Sequence, residues 1–233
     1  MNFLNRAANA ERGLRTFDQV PTSDALLDIG LSAIVEARSN NPLLPRYAER
    51  WRDGLIVAML ACHGARRRTI SRLTLGQNIR LDGNGFAVWV SGDDMKAGRP
   101  FAFRISSILN DEIREYLRHA RILFPGGHDP ENGPLWLSFV TRRALAPGGI
   151  TNAVANLAGK FNSHRTTPHA FRHAAVTTMA NAEGFDTRHA QAFLDHRTAD
   201  IAEQHYNLAT QLDAGRAYAK LLEKFHRNGG ERW

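Results

Sequence analysis

The first long stretch of the chain places apolar residues at the spacing of an amphipathic helix. Leu26 and Ile34 share one face of a segment that begins at Thr22 or Ser23, and the Asn-Asn-Pro run at residues 40–42 ends it. The same periodicity predicts further helices over these segments: about Arg46 to Cys62, residues 107–124, about Thr151 to Phe161, and His169 to the region before Gly184.

A different pattern runs through residues 73–105, where apolar residues alternate with other residues. Phe86, Val88 and Val90 form one alternating run, and Phe101 begins another. Alternation with a period of two is typical of half-buried strands, and the Gly- and Asp-rich segments between the runs are turn signals. We therefore predict a small antiparallel sheet of about three strands within a mixed α+β fold that is mainly α-helical.

The composition favours a soluble globular protein with a polyanionic partner. Hydrophobic residues make up 43% of the 233 positions, enough for a sizeable core, and the formal net charge is +7. A basic balance favours nucleic acid first and an anionic membrane surface second. The single cysteine, Cys62, permits no intrachain disulfide, and no run approaches the ~20 apolar residues of a membrane span. We expect a cytoplasmic protein without membrane association.

An arginine cluster follows directly after the second predicted helix. Arg66, Arg67 and Arg68 come after Gly64, a residue that lets the chain turn tightly. Two interpretations are open. The cluster could be a solvated surface run, as most arginine runs are, or a phosphate site in which planar guanidinium groups join the free N–H groups of a helix start. The net charge favours the anion site.

A second cluster follows a helix start signalled by Thr167-Pro168. His169 and Arg172 then lie at i and i+3, on one helix face, and His196 and Tyr206 come farther along. Each of these residues alone has an ordinary explanation, such as a capping bond, an ion pair or a buried hydroxyl. Together they offer a cation, two imidazoles and a phenol, which are groups suited to handling a phosphate.

The two clusters together resemble the tyrosine recombinases, the phage-integrase family of DNA strand-exchange enzymes. The resemblance runs from about residue 22 to 210, with its motifs in the family's order. Those motifs are His63-Gly64-Ala65-Arg66, with Arg67 or Arg68 as alternative registers for the first arginine; Lys96 followed by Ala97-Gly98-Arg99; His169-Ala170-Phe171-Arg172-His173; Leu194-Asp195-His196; and Tyr206.

The resemblance implies a reaction that needs no metal and no cofactor. Tyr206 attacks a scissile DNA phosphate and forms a 3′-phosphotyrosine link, which leaves a free 5′-hydroxyl. Arg66 and Arg172 hold the non-bridging oxygens, Lys96 gives a proton to the leaving 5′-oxygen, and His169 assists proton transfer at the tyrosine. The remaining implied catalytic residue is His196, which hydrogen-bonds the phosphate. We also expect DNA contacts from Arg67, Arg68, Arg99, Lys160, Arg165 and His173.

Elementary chemistry agrees with these implied roles. A free phenol has a pKa of about 10 and needs help to act as a nucleophile near neutral pH. The transition state of phosphoryl transfer carries spread negative charge, which fixed cations stabilise. Covalent storage on the tyrosine conserves the phosphodiester energy, so the reaction needs no ATP.

Some features depart from the family's pattern. Thr69 stands where an acidic residue is often found, and Asp195 stands where glycine usually precedes the second histidine. Tyr206 follows His196 by ten positions (206 − 196), one more than the commonest spacing. Residues 1–21 are too short for the family's N-terminal DNA-clamping domain, and we expect an arm or a remnant of an upstream segment there.

The resemblance also implies how the rest of the chain is organised. Residues 22–210 form the catalytic domain, and residues 211–233 form a C-terminal helix and tail. Tyr218 and Leu222 share an apolar face of that helix, which would close the core or dock onto a neighbouring subunit. Recombination joins two duplexes, so double-stranded DNA is the expected partner, and we expect a homo-oligomer, a tetramer, on that DNA.

Three other readings of the second cluster compete with the recombinase. Residues 169–196 also resemble two helices around a turn at Gly184, as in a non-catalytic helix-turn-helix module. A type IB topoisomerase-like enzyme would use similar chemistry, but the motif spacing favours recombinases. A metal hydrolase is the weakest reading, because no glutamate lies between His169 and His173 and no third ligand is evident.

Overall fold

The fold is built around two long helices near the start of the chain. Helix α1 spans Ser23–Ser39 and helix α2 spans Pro45–His63, and both agree with the predicted segments. Pro45 takes the first helical position, where a missing N–H has no intrahelical partner to lose. The computed structural model describes residues 21–40, 44–92, 100–161, 164–181, 215–224 and 226.

Helices α1 and α2 cross at a contact between glycines. A Cβ on Gly54 would lie 2.8 Å from the carbonyl oxygen of Gly30, and a Cβ on Gly30 would lie 2.7 Å from the backbone nitrogen of Ala58. Side chains do not tolerate such distances, so glycine is required for this close approach. Residues 51–65 are all buried, and α2 is therefore the central helix of the core.

Five of the strands in the described part of the chain form one sheet, in the order β4-β3-β2-β1-β5. Val88 of β3 lies opposite Ile79 of β2 and Phe103 of β4, in antiparallel pairs that bury one face. The prediction of about three antiparallel strands is wrong in number and partly in direction, because two short strands are added and β1 runs parallel to β2. A two-residue strand is too short to show alternation in the sequence. The strands are β1 (Thr74–Leu75), β2 (Ile79–Asp82), β3 (Gly85–Val90), β4 (Phe101–Arg104) and β5 (Gly133–Pro134).

The helix predicted over residues 107–124 changes type along its length. Helix α4 spans Ser107–Glu115, a π-helical turn spans Tyr116–Ala120, and a 3₁₀ turn spans Arg121–Leu123. The wide turn directs the fully buried Tyr116 towards Trp51 and Trp136, at ring-centroid distances of 6.4 Å and 5.9 Å.

The buried Arg121 fixes the loop between this helix and β5. Its guanidinium donates hydrogen bonds to the carbonyl oxygens of Gly127 at 3.0 Å, Asn132 at 3.1 Å and Pro134 at 2.9 Å, and also to that of Asp129. A buried arginine is tolerated here because backbone carbonyls satisfy its donors.

The chain between β5 and residue 181 contains two further helices. Helix α5 spans Pro147–Ala158 rather than the predicted Thr151 to Phe161, and a short hairpin of β6 (Lys160–Phe161) and β7 (His164–Arg165) follows. Helix α6 spans Pro168–Asn181, as the Thr167-Pro168 start signal predicts. The predicted stop at Gly184 lies outside the described residues. Of the described residues, none belongs to a helix long and apolar enough to cross a membrane.

A final helix, α7, covers residues 215–224 and packs onto the core of its own chain. Tyr218 and Leu222 are fully buried, and the Tyr218 hydroxyl donates a 3.1 Å hydrogen bond to the carbonyl oxygen of Ala61. Glu223 accepts a hydrogen bond from Ser107 at the start of α4. The apolar face of α7 therefore closes the core, and docking onto a neighbouring subunit stays a prediction.

Candidate active site

The arginine cluster begins at a left-handed turn. Helix α2 ends at His63, and Gly64 (φ 53°) caps it by donating its N–H to the carbonyl oxygen of Leu60 at 2.9 Å. Glycine adopts this conformation without a Cβ penalty. The turn leads the chain through Arg66 into the one-turn helix α3, Arg67–Ser71. The tight turn predicted at Gly64 is confirmed.

Helix α3 separates its arginines from its core residues. Thr69 and Ile70 are buried, whereas Arg67 and Arg68 are exposed and Arg66 is half-buried. Nη1 of Arg67 donates a 3.2 Å hydrogen bond to the hydroxyl of Thr151 in α5. A helix of five residues has only a small dipole. The anion-site hypothesis therefore depends on the guanidinium groups and not on the helix start.

Arg172 of α6 joins the second motif to the first. Its Nη1 donates a 2.8 Å hydrogen bond to the carbonyl oxygen of Gly64, across 108 positions of sequence. Arg66 follows Gly64 by two residues, so their Cα atoms lie within about 7 Å of each other. The guanidinium of Arg172 is therefore held beside the backbone segment from which Arg66 projects, and the structure brings the two predicted arginine motifs together.

Two histidines lie next to Arg172 on the outer side of α6. The rings of His169 and His173 meet edge to face with their centroids 4.6 Å apart, and both residues are exposed. On the opposite side of the helix, Phe171 and Met179 are fully buried. Helix α6 places His169 and Arg172 three positions apart, as predicted, and both imidazole rings are exposed.

His63 supports the turn from inside the core, a role that the sequence did not reveal. Its ring centroid lies 4.4 Å from that of Phe103 on β4, and its Nε2 accepts the backbone N–H of Ser106 at 3.4 Å. Burial lowers the pKa of His63 from 6.5 to about 3, so the imidazole is neutral near pH 7. The ring proton is then assigned to Nδ1, which has no hydrogen-bond partner among the described residues.

The neighbouring Cys62 is also buried, and its thiol is unreactive. It is fully buried, and burial raises the pKa of its thiol to about 12. A protonated buried thiol is neither a nucleophile nor a metal ligand. Over the described ranges, no group of three or more His, Cys, Asp or Glu side chains could hold a metal ion.

Carboxylates are missing from the two sequence segments that meet at the arginine turn. The chain has 23 Asp and Glu residues, yet none lies in residues 54–81 or in residues 132–182. The first segment contains the arginine cluster, and the second contains α5 and α6, which contact it through Thr151 and Arg172. Within these two segments, positive charge is therefore concentrated without any acidic residue. The absence of acidic residues can be read from the sequence, but only the fold shows that the two segments meet.

Two of the predicted DNA contacts belong to the β6–β7 hairpin. Lys160 and Arg165 are paired in the register of the β6–β7 hairpin. The predicted residues that lie outside the described part of the chain are Lys96, Arg99, His196 and Tyr206.

A comparison of the whole sequence with known families identifies the chain. Neither a curated protein nor a solved structure matches it. A sequence model of the phage integrase family matches residues 34–212, which is most of the chain and includes both arginine motifs and Tyr206. The chain therefore belongs to the phage integrase family, whose members carry the tyrosine recombinase catalytic domain.

Proposed function

We propose that this protein is a site-specific DNA recombinase that cuts and rejoins double-stranded DNA through a 3′-phosphotyrosyl intermediate. The observation that carries the proposal is the 2.8 Å hydrogen bond from Arg172 to the Gly64 carbonyl oxygen, which joins two arginine motifs from distant parts of the sequence. In this proposal residues 22–210 form the catalytic domain, residues 1–21 an arm or a remnant of an upstream segment, and residues 211–233 a C-terminal helix and tail.

Tyr206 is the proposed nucleophile. Its phenolic oxygen attacks the scissile phosphorus while the bond between phosphorus and the 5′-oxygen breaks. The phenolic proton passes towards His169, which is exposed on α6 and therefore accessible to a substrate. Lys96 gives a proton to the leaving 5′-oxygen, which departs as a hydroxyl. General acid and base groups of this kind make the weak phenol nucleophile competent near neutral pH.

Arg66 and Arg172 hold the non-bridging oxygens of the reacting phosphate, and His196 donates a hydrogen bond to it. These fixed donors stabilise the negative charge that develops in the transition state. The loss of one such donor should slow cleavage on the order of 10²–10³-fold. Arg66 is proposed as the first catalytic arginine because it completes the His63-Gly64-Ala65-Arg66 motif and follows, by two residues, the Gly64 carbonyl oxygen that Arg172 contacts.

The rejoining step explains the expected assembly. A 5′-hydroxyl from a second duplex attacks the phosphotyrosine, which restores a phosphodiester and releases the phenol. Two duplexes must be cut and joined together, so the protein acts as a tetramer on DNA. The proposed contacts with the flanking DNA backbone come from Arg67, Arg68, Arg99, Lys160, Arg165 and His173.

Covalent trapping on a nicked suicide substrate tests the proposal. The nick lets the short 5′-hydroxyl strand diffuse away, so the protein stays linked to DNA and migrates as an adduct. The parent chain should form the adduct, whereas Tyr206→Phe should bind the same DNA and form none. DNA binding without any adduct from the parent chain would instead favour a non-catalytic DNA-binding module.

The same assay decides the register of the first arginine motif. Arg66→Ala should slow adduct formation on the order of 10²–10³-fold, while Arg67→Ala should mainly weaken DNA binding. If Arg67→Ala loses cleavage and Arg66→Ala retains it, the catalytic arginine is the neighbouring one.

A further inference from the structure

A small loop in front of α5 has the properties of a DNA-backbone contact. Residues 138–144, which we name the 138–144 loop, are closed by a bridge between Leu137 and Ala144. Ser138 donates its N–H to the Arg143 carbonyl oxygen at 3.0 Å and accepts the Arg142 N–H at its own carbonyl oxygen, also at 3.0 Å. Its hydroxyl accepts the Thr141 N–H at 3.2 Å. These bonds hold the loop in one conformation before any ligand arrives.

Arg142 has an unusual backbone conformation. Among the described residues it is the single non-glycine residue with a positive φ, at 55°. A left-handed conformation costs an ordinary residue roughly 1–2 kcal/mol, which glycine avoids and asparagine tolerates more easily. A functional role of the Arg142 side chain would account for an arginine at this position. Residues with unfavourable backbone conformations are concentrated at functional sites, so the conformation supports a functional hypothesis.

The arginines of this loop are exposed, and their segment of the sequence has no acidic residue. Arg142 and Arg143 are exposed, and Val140 at the tip is 89% exposed, so the loop projects from the surface. Neither arginine forms an ion pair within the described ranges. The whole segment 132–182 lacks Asp and Glu, so the charge of both guanidinium groups is available to a polyanion.

The position of the loop connects it to the proposed active site. The loop ends at Ala144, and α5 begins at Pro147, whose carbonyl oxygen accepts the Thr151 hydroxyl at 3.2 Å. Thr151 in turn accepts the hydrogen bond from Arg67 of the arginine cluster. One helical turn of α5, about 5 Å, therefore separates the start of the helix after the loop from the residue that contacts the cluster.

We propose that the 138–144 loop binds the backbone of double-stranded DNA beside the scissile phosphate, with one phosphate on Arg142 and one on Arg143. This inference rests on the proposed function, because it takes the DNA substrate from it. The loop makes contacts that position the duplex and do not read its sequence. It acts on binding, since neither arginine belongs to the reacting site.

The test is the salt dependence of DNA affinity in an Arg142→Asn/Arg143→Gln double variant. Asparagine tolerates the left-handed conformation, so the variant loses two charges and keeps the loop. Each phosphate contact contributes about 0.9 to the slope of log K against log salt concentration. We expect a slope that is shallower by about 2 and an affinity that is lower by roughly tenfold or more near 0.1 M salt, measured by fluorescence anisotropy with a labelled duplex.

A matched control removes the same charge elsewhere. Arg50→Gln/Arg118→Gln replaces two arginines that pair with carboxylates, Arg50 with Glu36 at 2.5 Å and Arg118 with Glu115 at 2.9 Å. This control should keep nearly the parental slope. Thermal unfolding should show the 138–144 variant to be at least as stable as the parent, because the left-handed arginine has been relieved.

The outcomes separate this inference from the proposed function. An equal slope in the parent and the 138–144 variant overturns the inference, and so does an equal loss in the control. A fall in the rate of adduct formation at saturating protein would overturn the positioning role, because the loop would then belong to the reacting site. If the parent chain itself fails to bind DNA, the proposed function and this inference both fail. That result differs from a parent chain that binds DNA with the same slope as the 138–144 variant, which overturns this inference alone.

Discussion

Mild acid should destabilise this protein through one buried histidine. Burial lowers the pKa of His63 to about 3 in the folded state, against 6.5 in its ordinary state. Between these values the unfolded chain binds a proton at this residue and the folded chain does not. Stability therefore rises with pH across the window, is complete above about pH 6.5, and is lost as the pH falls towards 3. This pH dependence of stability has the opposite sign to that of a histidine that gains an acidic partner on folding, whose contribution to stability is lost as the pH rises.

The size of the effect follows from the two protonation equilibria. At pH 5 the unfolded imidazole is almost fully protonated, while the folded one is still neutral. Integration from pH 7 to pH 5 with an unfolded pKa of 6.5 gives a loss of about 2 kcal/mol in the free energy of unfolding. The figure is insensitive to the folded pKa, because any value below about 4 leaves the folded imidazole neutral at pH 5.

Urea unfolding followed by tryptophan fluorescence at pH 7 and pH 5 measures this loss. His63→Gln keeps an acceptor for the Ser106 N–H and cannot titrate, so it should lose about 2 kcal/mol less than the parent between the two pH values. Other groups cancel in this comparison, including Asp53, a buried carboxyl whose pKa burial raises. His63→Phe should be less stable than the parent at pH 7 and equally free of this pH dependence. Equal losses in the parent and in both variants would refute a neutral, dry imidazole beneath the arginine turn.

Two further predictions concern the core around that turn. Tyr218→Phe removes the hydrogen bond to the Ala61 carbonyl oxygen; it should lower the free energy of unfolding by about 1 kcal/mol in urea and leave adduct formation intact. Loss of the adduct in this variant would make Tyr218 the nucleophile. Gly54→Ala places a Cβ 2.8 Å from the Gly30 carbonyl oxygen, and should cost about 1–3 kcal/mol in the same measurement. The control Gly148→Ala meets open space in α5 and should not destabilise; a cost equal to that of Gly54→Ala would contradict the close helix crossing.

The long elements of this fold were predictable because each repeats its own signal many times. Helices α1 and α2 carry several turns of apolar residues, and their observed bounds, Ser23–Ser39 and Pro45–His63, lie within a residue or two of the predicted segments. The alternation of apolar residues in β3 likewise predicts a strand and its buried face, which contains Phe86 and Val88. Periodicity accumulated over a long segment outweighs the propensity of any one residue.

Each difference from the predicted elements has a physical cause. The helix predicted from about Thr151 begins earlier, at Pro147, because proline is favoured at the first helical position. Strands β1 and β5 have two residues each and pair with each other although they are distant in sequence. The π-helical turn at Tyr116 depends on packing against Trp51 and Trp136, which no local pattern encodes.

The candidate site also has features that the sequence predicts and features that only the fold reveals. The sequence identified Arg66, His169 and Arg172 by their motif, and α6 places the latter two on one helix with the expected spacing. It did not predict that Arg172 would bond the Gly64 carbonyl oxygen or that His63 would be buried, because both depend on contacts between distant segments. Spacing within one helix is a local property, whereas the partner of a side chain is a property of the whole fold.

The end of α2 shows why those distant contacts matter for the proposed chemistry. The last carbonyl oxygens of a helix have no intrahelical partner and must be satisfied by other groups. Here the Gly64 N–H satisfies Leu60, the Tyr218 hydroxyl of α7 satisfies Ala61, and the Arg172 guanidinium of α6 satisfies Gly64 itself. Two helices from the later part of the sequence are thus tied to one helical turn. The backbone that carries Arg66 therefore leaves the core at a helix end that α6 and α7 both contact, and Arg172 is the residue that contacts it nearest to Arg66.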